Sequence, residues 1–203
     1  MRKLNQSQRY LFKFFYIGIE KFHGSQRQEN HLSIEKCLLD ALIKKDYISD
    51  VQSSGFEASS RTDRFVSARG AAFSFISLKE PILMEINSIL PNEIGLWAYS
   101  PVENNFSSRF NAIYRHYRYI IPQPIKFIQK DSIINFELMN KACKELEGSH
   151  DFINFAKRDK NMIKTIRNIL SVDISLKDDY IIFDFKSKAF LRQQIRRMVK
   201  KIL

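Results

Sequence analysis

Short runs in which apolar and polar residues alternate recur along this sequence. Segments whose apolar residues fall at helical spacing separate them, and that succession occurs twice. Residues 10–19 (YLFKFFYIGI) are rich in β-formers and read as a strand. Ser33 is placed to cap a helix running to about Lys45, with Ile34, Leu38, Leu39 and Leu42 on one face. Residues 70–77 (GAAFSFIS) read as a strand, Pro81 opens a helix to about Leu90, and 94–102 form another strand. In the second half, 113–121 (IYRHYRYII) is a strongly aromatic strand and 137–146 a helix with Gly148 just past its end. Val172, Ile174 and Leu176 mark one further strand, 180–187 (YIIFDFKS) another, and 190–203 a basic helix. Strands with one apolar face need helices to cover that face. The economical architecture is therefore α+β, in two halves over 9–103 and 108–203, each an antiparallel sheet with helices on one face.

Charge decides which partners to consider. Lys and Arg outnumber Asp and Glu by 33 to 22, giving a formal net charge of +11. Such a surface attracts polyanions, nucleic acid first and anionic membrane second. The excess is densest at the end, where Lys186, Lys188, Arg192, Arg196, Arg197, Lys200 and Lys201 occur without an acid. No segment approaches the roughly 18 apolar residues that span a bilayer. The run at 10–19 is interrupted by Lys13, and no small-residue cleavage site follows it. Cys37 and Cys143 belong to no CxxC pair and read as buried, reduced thiols of a cytoplasmic protein. No Cys/His ligand cluster and no phosphate-cradling glycine loop is present, so neither a metal nor a nucleotide cofactor is expected.

The segment Ser60-Arg61-Thr62-Asp63 carries the most chemistry. Arg61 and Arg64 flank the aspartate in a polar loop, and cations beside a carboxylate keep it ionised for work as a nucleophile or base. Alone, an ordinary loop aspartate is the better reading. Yet SRTDRFVSA resembles the signature loop of the TruA family of tRNA pseudouridine synthases, usually GRTDxGVxA. Four other segments fall into the family's order. Phe22-His23-Gly24-Ser25-Gln26-Arg27-Gln28 is similar to F-x-G-W-Q-x-Q. Arg109-Phe110-Asn111-Ala112 followed by RHYRYII resembles the RF…YRYxI element. Gly148-Ser149-His150-Asp151-Phe152 with Phe155 resembles G-x-H-D-F-x-x-F. KSKAFLRQQIRRMV resembles A-F-L-x-x-x-V-R-x-M/I-V. The resemblance runs from about Tyr10 to Val199. Ser60, Arg64-Phe65 and Ser25 depart from the usual Gly, small-Gly pair and Trp, and Ile17 stands where Asp is common. These departures resemble the archaeal or eukaryotic branch. Family members continue past the last helix, often with a GLxL-type strand, whereas this sequence stops at Leu203, which implies that a C-terminal segment is lacking.

The resemblance implies two RRM/ferredoxin-like halves joined side by side, with the active-site cleft between them. It implies an isomerase converting uridine to pseudouridine in the anticodon stem-loop of tRNA, at positions 38 to 40. No cofactor, metal or membrane is involved, and the partners are tRNA and a second copy in a homodimer. It assigns Asp63 as the catalytic carboxylate, acting on the base or at C1′. Arg196 pairs with it, within roughly 3–4 Å, and Tyr117 stacks on the target base and accepts or relays its C5 proton. Arg61 fills the gap left by the everted nucleotide. With Arg61, the cations Arg64, Arg27, Arg115, Arg192, Arg197 and Lys200 are assigned to RNA binding.

Other readings have less behind them. RGAAFSFI at 69–76 partly matches the aromatic consensus of RNA-recognition motifs, but Ala71 and Ile76 replace its stacking rings, so it reads as a core strand. His116 and His150 have no Ser or Cys nucleophile beside them and read as structural, and the charges of the Lys36–Lys45 helix read as a solvated face. A non-catalytic RNA-binding protein explains the charge but not the joint occurrence of RTD, YRY and the terminal arginine. A metal-dependent nuclease needs more acids near Asp63, and none lies between Arg61 and Lys79.

Overall fold

The computed structural model describes residues 7–123, 135–157 and 164–203. The chain divides between Ala112 and Ile113 into two compact units. Among the described residues each carries a four-stranded antiparallel sheet and two α-helices, the α+β organisation read from the sequence.

In the first unit the order is β1 (Gln8–Tyr16), α1 (Ile34–Lys44), β2 (Glu57–Ala58), β3 (Ala68–Ser77), α2 (Leu83–Asn87) and β4 (Ile94–Pro101). The sheet order is β2-β3-β1-β4. Alternation along β1 buries Phe12, Phe14 and Tyr16 and turns Lys13 and Phe15 outward. Phe12 stacks on Phe73 and Phe75 of β3 at 5.1 and 5.2 Å between ring centres. Each ring removed from water contributes about 1.5–3 kcal/mol. The Ser33 hydroxyl accepts the Lys36 N–H at 3.2 Å and starts α1, which buries Ile34, Cys37, Leu38, Leu39, Ala41 and Leu42 in the same core. The helix opened by Pro81 is shorter than its pattern promised. The Asn87 side chain bonds both the N–H and the C=O of Leu96, each at 2.8 Å, and ends α2 by acting as a piece of sheet. The buried Tyr47 hydroxyl joins α2 to the core, donating to Glu85 at 2.5 Å and accepting the Ile82 N–H at 3.0 Å. Burial, then the Glu85 carboxylate, push its pKa to about 12.

Glu57 on β2 holds the segment before the second unit. Its carboxylate accepts from the Ser107 and Ser108 hydroxyls at 2.8 and 3.2 Å and from the Arg109 N–H at 3.2 Å. Burial opposes ionisation here, but these hydrogen bonds and the Arg9 charge outweigh it and hold the carboxyl below its usual range. A depressed carboxyl contributes stability that is complete above the unfolded pKa and is lost as pH falls through the folded one. Glu57→Gln is therefore expected to cost about 1–3 kcal/mol at neutral pH. Thermal melts of parent and variant should converge in acid, and an equal gap at every pH would sink the assignment.

The second unit runs β5 (Arg115–Pro122), α3 (Phe136–Glu145), β6 (Gly148–Asp151), a 3-10 turn (Ile153–Phe155), β7 (Ile166–Lys177), β8 (Tyr180–Ser187) and α4 (Gln194–Ile202). Its sheet order is β5-β8-β7-β6. A two-residue turn with Asp178 at φ 51° joins β7 to β8, the left-handed geometry that tight hairpins require. Ile169, Val172, Ile181, Phe183 and Phe185 form one sheet face, covered by Met139 and Cys143 of α3 and Met198 and Val199 of α4. Helix α4 begins four residues later than the basic run suggested. Gln193 sits at φ 59°, and the Gln194 side chain accepts the Leu191 N–H at 2.7 Å, so 190–193 form a turn.

Candidate active site

In the first unit the interest lies in the loop 59–67 between β2 and β3. Its backbone is tied from both sides. Thr62 donates its N–H to the Ser25 hydroxyl at 2.7 Å and accepts the Ser25 N–H at 3.1 Å. Its own hydroxyl shares a 2.7 Å hydrogen bond with the Tyr16 hydroxyl at the end of β1. On the far side, Gly18 donates to the Ser67 hydroxyl at 3.0 Å, and the Val66 N–H closes a turn onto the Asp63 carbonyl at 3.3 Å. Two glycines make this approach possible. A Cβ on Gly18 would lie 2.4 Å from the Val66 carbonyl oxygen, and one on Gly24, at φ 89°, would lie 2.9 Å from that of Thr62. Asp63 is thus held, half-buried, on a loop with fixed backbone on either side of it.

Cations surround it in sequence. Arg61 is exposed. Arg64 donates to the Glu20 carbonyl at 2.9 Å and lies over the Phe65 ring, 4.8 Å from its centre. Arg27 is exposed on the segment 22–31, and its N–H bonds the Glu35 carboxylate in the first turn of α1. Glu35 is a charge the motifs did not single out. Burial pushes its carboxyl up, against the Arg27 N–H and the charges of Arg27 and Arg61. It borders a recess floored by Phe14, Ile34, Leu38 and Phe73, with Ser25 and Ser60 at the rim. Its volume of about 10 Å³ admits one water rather than a base. The His23 ring stacks on His31 at 4.2 Å, and burial, then His31 and Arg64, lower its pKa.

In the second unit Tyr117 is half-buried on β5, on the core side beside Phe185, and meets Phe190 edge-on at 5.4 Å. The Arg115 guanidinium donates to the Lys188 carbonyl. Arg192 lies in the turn before α4, its carbonyl accepting the Lys157 N–H at 2.9 Å. Arg196, Arg197 and Lys200 occupy the exposed side of α4, opposite the buried Gln194, Met198 and Val199. The two histidines outside the site have structural partners. His116 and Arg118 both bind Asp184, at 2.7 and 2.9 Å, and His150 meets the Glu147 carbonyl at 2.6 Å. Among the described residues, the first unit gathers Arg27, Arg61, Asp63 and Arg64 around one loop. The second carries Arg115, Tyr117, Arg192, Arg196, Arg197 and Lys200.

The tie points Tyr16, Gly18 and Ser67 escaped sequence reasoning. Each acts through a bond to a residue more than 40 positions away, which no local pattern records. Among the described residues no group of three or more His, Cys, Asp or Glu is arranged to hold a metal ion, and no helix is long and apolar enough to cross a membrane.

Comparison with known proteins adds to this geometry. A family model described as tRNA pseudouridine synthase matches residues 142–203. The tRNA pseudouridine synthase A of Methanothermobacter thermautotrophicus is 35% identical over 191 residues, covering 94% of this chain and 66% of that protein. Those of Methanosphaera stadtmanae and Archaeoglobus fulgidus are each 32% identical over 195 residues, covering 96% of this chain and 69% and 68% of theirs. The chain spans about two thirds of the length of these curated relatives.

Proposed function

This chain belongs to the tRNA pseudouridine synthase A family, and from that premise we propose that it isomerises uridine to pseudouridine in tRNA. The observation that carries the reading is the loop that fixes Asp63 between Arg61 and Arg64, with backbone bonded on both sides to segments within the same unit. In the reaction the N1–C1′ bond breaks, the uracil turns, and C5 bonds to C1′. The C5 proton leaves as N1 gains one, so the balance needs no oxidant, reductant or cofactor. Asp63 supplies the carboxylate, acting on the ring or at C1′. Arg196 is assigned as its ion-pair partner, fixing its rotamer. Tyr117 stacks on the base and takes or relays the C5 proton, and Arg61 occupies the space of the everted nucleotide. Arg27, Arg64, Arg115, Arg192, Arg197 and Lys200 hold phosphates. The finer proposal places the target among uridines 38 to 40 of the anticodon stem-loop, with the chain a homodimer in the cytoplasm.

Tritium release from tRNA labelled at uridine C5 tests the reading directly. The expected result is release by the purified chain without added cofactor, and no release from any tRNA would overturn it. Binding should also weaken steeply with salt, because each neutralised phosphate frees counterions. Arg197→Glu and Lys200→Glu should each flatten the slope of log affinity against log salt by about one. A slope unchanged in both variants would remove α4 from the RNA contact.

A further inference from the structure

The residue two places after Asp63 is in an unfavourable state twice over. Phe65 has φ 64°, in the left-handed region where a side chain with a β-carbon crowds its own backbone. The residue is 62% exposed, so the conformation is not rewarded by burial. Strain at a bulky residue persists where the surroundings impose it, and such sites are where ligands are held. Here the surroundings do impose it, because the loop is bonded to Ser25 and Tyr16 before Phe65 and to Gly18 after it. The ring is also backed. The Arg64 guanidinium lies over it at 4.8 Å and is itself anchored on the Glu20 carbonyl. An aromatic ring with a guanidinium 4.8 Å from its centre, and with much of its surface in water, is a platform for another π-system.

We propose that the Phe65 ring is a base-stacking contact, receiving the face of an unpaired nucleobase adjoining the one presented to Asp63. Two residues of chain span at most about 7 Å, or about two stacking steps of a nucleic-acid strand, so a base on Phe65 neighbours the target. The contact is sequence-tolerant, since every base has a π-face, and it requires a base freed from its duplex. The proposal rests on the synthase reading for the identity of the RNA, though not for the stacking itself.

The test compares the full chain with Phe65→Asn and Phe65→Tyr. Asparagine accepts the left-handed conformation without a ring, and tyrosine keeps the ring. Affinity is measured for an unmodified tRNA transcript and for a blunt RNA duplex of similar length. Phe65→Asn is expected to weaken tRNA binding by about 5- to 100-fold, to leave duplex binding unchanged, and to melt at or above the parent's temperature. Phe65→Tyr should bind tRNA like the parent. Equal tRNA affinity in Phe65→Asn would overturn the proposal. So would a parallel loss on duplex RNA, or a fall in melting temperature that Phe65→Tyr shares. A chain that stacks tRNA through Phe65 yet releases no tritium would sink the synthase reading and leave the contact standing. One that releases tritium with Phe65→Asn binding normally would do the reverse.

Discussion

Asp63→Asn is expected to lower pseudouridine formation by at least about 10³-fold while tRNA affinity stays within about twofold of the parent. The amide has the size and shape of the carboxylate but neither its charge nor its nucleophilicity. The hydrogen bonds that shape the loop run through the Thr62 backbone and hydroxyl, the Asp63 carbonyl and the side chains of Ser25, Tyr16 and Ser67, so the exchange leaves the scaffold in place. Affinity should persist because a carboxylate repels phosphate and contributes nothing to holding it. Unaltered melting, near-parent filter binding and absent tritium release form the expected set. Turnover retained by the asparagine variant would remove Asp63 from the chemistry.

Gly18→Ala should be nearly as damaging without touching a reacting group. The added Cβ would lie 2.4, 2.6 and 2.8 Å from the carbonyl oxygen, carbonyl carbon and nitrogen of Val66. All three are backbone atoms, so no flexible side chain can yield, and the loop must move away from β1. That displacement begins three residues from Asp63. A misplacement of about 1 Å at a reacting group costs about 10²-fold in rate, and that is the loss expected. Overpacking of this kind also costs about 1–3 kcal/mol, visible as a melting point lowered by several degrees. tRNA binding should fall much less, because the cations remain. Gly70→Ala is the control, since a Cβ there meets nothing within 4 Å. If Gly18→Ala turned over like the parent, the tie between Gly18 and the loop would have no bearing on Asp63.

Much of the fold was legible because local signals and tertiary packing agreed. Ser33 capped the helix it was expected to cap, and YIIFDFKS became β8 over Tyr180–Ser187. Disagreement came where a side chain replaced a backbone partner. Asn87 shortened α2 by bonding Leu96, and Gln194 delayed α4 by capping Leu191, choices that no apolar period encodes. Strands β2 and β6 had no sequence expectation, because two residues, and a polar Gly-Ser-His-Asp, carry no alternation. At the site, motif order pointed to Asp63, whereas the means of holding it did not show. Tyr16 read only as part of a strand, and Ser67 only as part of the signature loop. The left-handed Phe65 was hidden for a related reason, since phenylalanine at such a φ contradicts its own propensity and only the bonded neighbours enforce it.

The position of β1 at the middle of its sheet also bears on how the protein is made. The strand pairs with β3, where Gln8 faces Ser77, and with β4, where Tyr10 faces Pro101. Its first partner is therefore synthesised some 60 residues after it, and its second some 90. At about 5–20 residues per second, the phenylalanine-rich first strand emerges from the ribosome and waits about 5–20 s for its sheet to be completed. The β7–β8 pair, closed by a two-residue turn, waits for almost nothing. The long-waiting first strand thus depends on protection during translation, and slowing the synthesis of its unit, or withdrawing chaperones that cover exposed apolar strands, should lower the yield of active protein more than the stability of the finished fold would suggest.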